Sequence, residues 1–154
     1  MSKLYIGIDP GQKGGIAFIL GSTVTTAPYS DSFLKTVCDI IKQYEDVQAV
    51  CCLEQVHAMP KQGVTSMFNF GKNFGYIKGV LEAHNIPYQE VPPQKWKKEF
   101  SLNGEKEKSI EACRQLFPNT SLLATERCKK EHDGMAEALL MAEYARRNFN
   151  ERQQ

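Results

Sequence analysis

The chain has 154 residues, 42% of them hydrophobic and 24% charged, with 19 Lys and Arg against 18 Asp and Glu for a formal net charge of +1. That length suits one domain whose core hides about 70% of its unfolded surface; the composition excludes a disordered chain, and no apolar run reaches the roughly 18 residues of a membrane span. Taken as an average, the near-neutral charge speaks against a nucleic-acid binder, a class that is commonly strongly basic.

Leu4 to Asp9 (LYIGID) reads as a short buried strand, and three glycines within Gly11 to Gly15 form a tight turn. Ile16 to Leu20 is a second apolar strand, so the first two strands are expected to pair as a hairpin. Val24 to Ala27 is a weaker third strand. Ser30 or Asp31 can cap a helix whose apolar positions are Phe33, Leu34, Val37, Ile40, Ile41 and Tyr44. Val47 to Leu53 is an uncharged run of strand length, as in a fully buried central strand, and it ends at Glu54. A loop with Pro60 and Gly63 leads to a long helix over Thr65 to Asn85. There Gly71, Gly75 and Gly79 recur every four residues. Each costs up to ~1 kcal/mol against Ala, so the stripe predicts a close approach to the sheet, to a partner helix or to DNA backbone, helix packing first. Ile86 to Val91 is the last strand, followed by Pro92 and Pro93. Gln94 to Phe100 forms a short helix that Gly104 breaks. Glu105 to Phe117 is helical, with Ile110, Cys113, Leu116 and Phe117 on one side, until Pro118 ends it. Asp133 to Phe149 is the final helix, carrying Met135, Ala138, Leu139, Ala142 and Tyr144. This order predicts an α/β class, a mixed five-stranded sheet flanked by helices. No repeat or linker divides it, so residues 1–150 are expected to be a single domain and 151–154 a C-terminal tail.

The cysteines at 38, 51, 52, 113 and 128 form no C-x-x-C pair, and no second ligand pair joins Cys128 and His132 in a zinc site. Reduced core thiols are expected, with Cys51 and Cys52 on opposite faces of their strand. Met1 to Asp9 lacks the long apolar stretch and cleavage site of a signal peptide, so a cytoplasmic location is expected.

Asp9 and Glu54 each end one of the most apolar strands, and Asp133 and Glu137 are four apart at the start of the last helix, on one face. Singly, each has an ordinary explanation: turn chemistry before Pro10-Gly11, a solvated strand end, or an acid favoured by a helix dipole. Together they can converge at one sheet edge, where mutual repulsion is relieved by a divalent cation. Two such ions suit in-line hydrolysis of a phosphodiester.

These residues resemble the RuvC family of Holliday-junction resolvases, within the RNase H-like superfamily, over nearly the whole chain. Gly7-Ile8-Asp9-Pro10-Gly11 matches the first-strand motif and Leu53-Glu54-Gln55-Val56 the second acidic motif. Trp96-Lys97 and Glu107-Lys108-Ser109 match two basic motifs, with the family's eleven-residue separation between the lysines. Asp133 to Leu140 (DGMAEALL) matches the final helix. The compact length resembles a phage-type member, which would place the protein in a bacterial host cell.

The resemblance implies an RNase H-like fold, a homodimer, and a site in which Asp9, Glu54, Asp133 and Glu137 hold Mg²⁺, two ions per site, with Mn²⁺ as a substitute. It implies an endonuclease of DNA recombination and repair. Such an enzyme resolves four-way junctions by paired symmetric nicks, leaving 5′-phosphate and 3′-hydroxyl, with Lys108 stabilising the developing charge. The family's usual spacing puts the third acid at Gly134; Asp133 is one residue away, and His132 is a rival for its role. His57 stands where bacterial members carry a wedging aromatic, and Met59, Phe68 and Phe70 are other wedge candidates. Lys61, Lys72, Lys78, Lys97, Lys106 and Lys108, with His57, are the expected DNA contacts; Trp96 is expected to be partly buried packing. Two alternatives stay open, a less selective nuclease that debranches several DNA structures and a non-catalytic junction-binding module. An actin-like or sugar-kinase-like ATPase needs two lobes, and this length supplies one. GQKGG is not a dinucleotide fingerprint.

The charge is unevenly placed. Residues 95–130 hold nine Lys and Arg against five Asp and Glu, a net +4, whereas residues 131–154 carry a net −2. The total of +1 averages a basic stretch with an acidic cluster, and so does not exclude nucleic acid.

Overall fold

The computed structural model describes residues 3–43, 46–57, 60–103 and 105–149, with only the backbone of Lys106. Tyr44, Met59, Gly104 and the tail 151–154 lie outside the described residues.

The apolar runs become the strands β1 (Lys3–Asp9), β2 (Gly15–Leu20), β3 (Thr23–Pro28), β4 (Gln48–Glu54) and β5 (Tyr88–Val91). They form one five-stranded sheet in the order β3-β2-β1-β4-β5. β1, β2 and β3 are antiparallel neighbours, so the expected hairpin is present, while β4 lies parallel to β1 and β5 parallel to β4. The sheet is therefore mixed. Ile86, expected to open the last strand, instead precedes β5: its backbone N–H closes the end of the preceding helix on the carbonyl of Leu81.

Helices α1 (Asp31–Gln43) and α2 (Val64–Ala83) cover one face of the sheet. Ser30 is the cap of α1, its hydroxyl accepting from the Phe33 N–H at 3.1 Å. Leu4, Ile6 and Ile8 of β1 and Cys51 and Leu53 of β4 point into this layer, against Leu34, Val37, Ile77 and Leu81. Helices α3 (Pro93–Glu99), α4 (Lys106–Leu116) and α5 (Asp133–Asn148) serve the other face. There Tyr5, Val50 and Cys52 meet the buried run of α5. Alternation along the strands thus divides the core into two layers, and Cys51 and Cys52 do fall on opposite sides. Four cysteines are buried and free, but Cys128 is half-exposed, outside the core expected for it.

Helix α5 is not amphipathic in the ordinary sense. It is buried from Gly134 to Ala145 except at Glu137, because it lies directly on the sheet and is flanked by α4. Backbone contact makes this possible. A Cβ on Gly7 would stand 2.0 Å from the carbonyl oxygen of Ala138, and one on Gly15 2.4 Å from that of Gly134. At the far end, buried Glu143 accepts from Arg146 and Arg147. Arg147 also reaches Glu99 at 3.7 Å and lies over the Phe100 ring, which ties α3 to α5.

Leu116, read on one side of α4 with Ile110 and Cys113, is 40% exposed, because the helix ends there and the chain turns away at Phe117. Among the described residues the glycine stripe of α2 approaches nothing outside its own helix: a Cβ on Gly71, Gly75 or Gly79 would meet no such atom within 4 Å. α2 buries Ile77 and Leu81 against the sheet and turns the stripe outward.

Candidate active site

β1 and β4 run parallel with Ile8 beside Leu53, so the next residue of each strand, Asp9 and Glu54, stands at the same level. Ile8 and Leu53 face the α1–α2 layer, which turns Asp9 and Glu54 to the α5 side. There the half-buried Glu137 completes a triad. One carboxylate oxygen from each of Asp9, Glu54 and Glu137 lies within 4.8 Å of the others.

Three acids so close cannot all remain ionised without a counter-charge. Burial, then the charge of Glu54 and a hydrogen bond with Glu137, push the Asp9 carboxyl up to about 10. Glu54 is also raised, by burial first and by Glu137, against a hydrogen bond from Trp96 and the charge of Lys97. Lys97 Nζ lies 4.0 Å from Glu137 Oε1. Half-buried carboxylates with one nearby ammonium are a hard-oxygen donor set, which suits Mg²⁺ or Mn²⁺.

Asp133, the expected fourth carboxylate, is not in the group whose oxygens lie within 4.8 Å of one another. A Cβ on Gly134 would stand 2.2 Å from the carbonyl oxygen of Lys13, so no acid fits there. Asp133, one residue earlier, raises Asp9 through its charge. His132 is the N-cap of α5: its Nδ1 accepts from the Met135 N–H at 3.1 Å, and its backbone N–H donates to the Leu122 carbonyl at 2.7 Å. One ring nitrogen of this rival is thus engaged in holding the helix that carries Asp133 and Glu137.

Trp96 departs from its expected role. It is fully buried, and its Nε1–H donates to Glu54 Oε2 at 2.9 Å. The adjacent Lys97 lies over the Trp96 ring at 5.5 Å and faces Glu137. A lone Trp among lysines gives no sequence signal for a contact with an acid 42 residues away.

The other basic candidates differ in exposure and in partners. Lys108, in the first turn of α4, lies 4.0 Å from Glu105. The side chain of Lys106 is outside the described atoms. His57 and Lys61 are exposed in the loop after β4, Lys61 with φ of 72°. Lys72 is exposed on α2, whereas Lys78 pairs with Glu90 at 3.6 Å and lies over Phe74. Among the wedge candidates, Phe68 is 72% exposed. Phe70 turns its ring toward the loop after Asp9, 3.6 Å from where a Gly11 Cβ would stand.

The mixed sheet with α5 packed across it is a fold similar to that of RuvC-type resolvases. Three solved structures are similar to it. Thermus thermophilus RuvC in complex with a Holliday junction substrate has a TM-score of 0.57 at 13% identity, covering 94% of this chain and 96% of that one. A second Thermus thermophilus RuvC structure gives 0.53 at 17%, with the same shares. The Fowlpox virus resolvase in complex with its substrate Holliday junction DNA gives 0.52 at 16%, covering 97% of this chain and 99% of that one. Neither a protein-family model nor a curated protein matches the sequence. Among the described residues no helix is long and apolar enough to cross a membrane.

Proposed function

We propose that this protein is a metal-dependent endonuclease that resolves four-way DNA junctions, with residues 1–150 as one nuclease domain. The observation that carries the reading is the convergence of Asp9, Glu54 and Glu137 within 4.8 Å, on the fold of proteins solved with Holliday junctions. Asp9, Glu54 and Glu137, with Asp133 as the fourth carboxylate, would hold two Mg²⁺ ions. Bound there, the metal supplies an activated water and neutralises charge on the leaving 3′ oxygen, giving 5′-phosphate and 3′-hydroxyl ends.

The chain's own groups do the rest. Lys97 offsets the charge of Glu137 and is placed to meet a phosphate drawn into the cluster. Lys108 stabilises charge developing on the phosphoryl oxygens once DNA draws it from Glu105. Lys61, Lys72, Lys78 and Lys106 follow the arms, and His57 and Phe70 line the junction core. Two symmetric cuts need two sites, and a C2 dimer supplies them. The open stripe of α2, with Val64 88% and Phe68 72% exposed beside Gly71, Gly75 and Gly79, is a face for a second copy.

A synthetic four-way junction, a replication fork and linear duplex, each with Mg²⁺ or EDTA, test the reading. Cutting of the junction in Mg²⁺ alone, lost in Asp9→Asn, supports it. Equal cutting of the fork indicates a general debranching nuclease, and tight binding without cutting indicates a binding module.

A further inference from the structure

We propose that Trp96 is a positioning residue for the carboxylate cluster: its indole N–H orients Glu54 for divalent-cation binding. This rests on the reading of that cluster as a metal site. Trp96 is completely buried, and a buried N–H needs an acceptor. Here the acceptor is Glu54 Oε2, at 2.9 Å, rather than a backbone carbonyl. One bond on Oε2 fixes the rotation of the carboxylate and leaves Oε1 and a second lone pair of Oε2 for an ion. The indole suits this task chemically. It donates only, so it cannot compete for the cation, and it is neutral, so it does not repel one.

The donor itself is held from several sides. The ring packs in the layer formed with Val91, Cys113 and α5. α3 is tied down at its other end by Arg147, through Glu99 and Phe100. Pro92 and Pro93 fix the backbone where α3 leaves β5. Meanwhile the Gln55 N–H, just after Glu54, donates to the Val91 carbonyl at 2.8 Å, holding the end of β4 beside the entry to α3. Sequence neighbours Trp96 and Lys97 thereby contact two different acids, Glu54 and Glu137, and α3 sets the placement of both. Outer partners of metal-binding carboxylates act in this way, and their loss typically costs 10–100-fold in metal affinity.

Trp96 is the sole tryptophan, so its indole gives one cross-peak in a ¹H–¹⁵N spectrum and needs no assignment. In the full-length protein that peak is expected to move as Mg²⁺ is added to saturation. In Glu54→Gln it is expected to start upfield of the wild-type position and to ignore Mg²⁺. Calorimetry on Trp96→Phe, which keeps an aromatic ring and removes the N–H, is expected to show Mg²⁺ binding weakened about tenfold or more, with cooperative unfolding retained. An indole peak at the same position in wild type and Glu54→Gln overturns the proposal, whether or not Trp96→Phe folds. So does Mg²⁺ binding by Trp96→Phe within twofold of wild type, which leaves the metal site itself standing. An indole peak that moves in Glu54→Gln while the wild type takes up no Mg²⁺ refutes the metal site, and Trp96's role with it.

Discussion

Asp9→Asn is expected to make the metal-free protein more resistant to heat while removing its response to Mg²⁺. The Asp9 carboxyl is pushed from 3.8 up to about 10 by burial, by the charge of Glu54 and by its contact with Glu137. Between those values the unfolded chain gives up this proton and the native protein keeps it. The native state therefore binds more protons, and its stability falls as pH rises, by at most ~1.4 kcal/mol per unit. The contribution is whole below pH 3.8 and is lost progressively as pH climbs toward 10. At pH 7, about three units into that window, the loss has a ceiling of ~4 kcal/mol; local relaxation and water entry bring it nearer ~2 kcal/mol. Asn cannot ionise and carries none of this. At ~2–4 °C per kcal/mol, Asp9→Asn should melt about 4–8 °C above wild type at pH 7 in EDTA. The gap should shrink toward pH 5. With saturating Mg²⁺ the wild type should rise and the variant should not, since a ligand stabilises only the state that binds it. Thermal unfolding by circular dichroism from pH 5 to 9 measures this. If Asp9→Asn melts below wild type at every pH in EDTA, with the same pH slope, the reasoning about crowded carboxylates is wrong.

Three further outcomes are expected. Mg²⁺ must displace the proton on Asp9, so apparent affinity should strengthen as pH rises from 6 to 9, by up to about tenfold per unit. Calorimetry in buffers of different ionisation enthalpy should show about one proton released per site; affinity independent of pH would contradict this. Gly134→Ala puts a methyl 2.2 Å from the Lys13 carbonyl oxygen, so α5 must shift; a loss of ~1–3 kcal/mol in urea unfolding and weaker Mg²⁺ binding are expected, and wild-type values in both would show the packing to be slack. Phe68→Glu places a charge on the open face of α2 and should convert a dimer to a monomer by light scattering; a wild type that is monomeric at tens of micromolar would remove that face from the account.

Strand parity explains why so much of the site was legible. Val47 to Leu53 has no charge and β1 almost none, so both read as buried strands, and an acid one residue past Leu53 or Ile8 has to leave the opposite core layer. The four-residue spacing of Asp133 and Glu137 likewise put them on one helix face. What was not legible depends on long-range approach. Nothing local marks Gly134 as closed by the Lys13 carbonyl, which leaves no room for an acid at that position. The α2 glycines followed a pattern that means close packing, but periodicity cannot say what packs, and among the described residues of the chain nothing does. Trp96 read as partly buried packing; it is fully buried, and its indole N–H reaches a carboxylate that only the β4–β5–α3 path brings near. Average charge misled for a related reason: a net value close to zero does not show that acids gather at one sheet edge while lysines follow β5.

The most direct test of the central claim is to map cuts on a four-way junction end-labelled on each strand in turn, with Mg²⁺ present. The account predicts paired nicks at symmetric positions on two opposite strands, with ligatable ends, absent in EDTA and reduced at least 100-fold in Asp9→Asn. Nicks that persist in Asp9→Asn, or that fall without symmetry and equally on linear duplex, would contradict it.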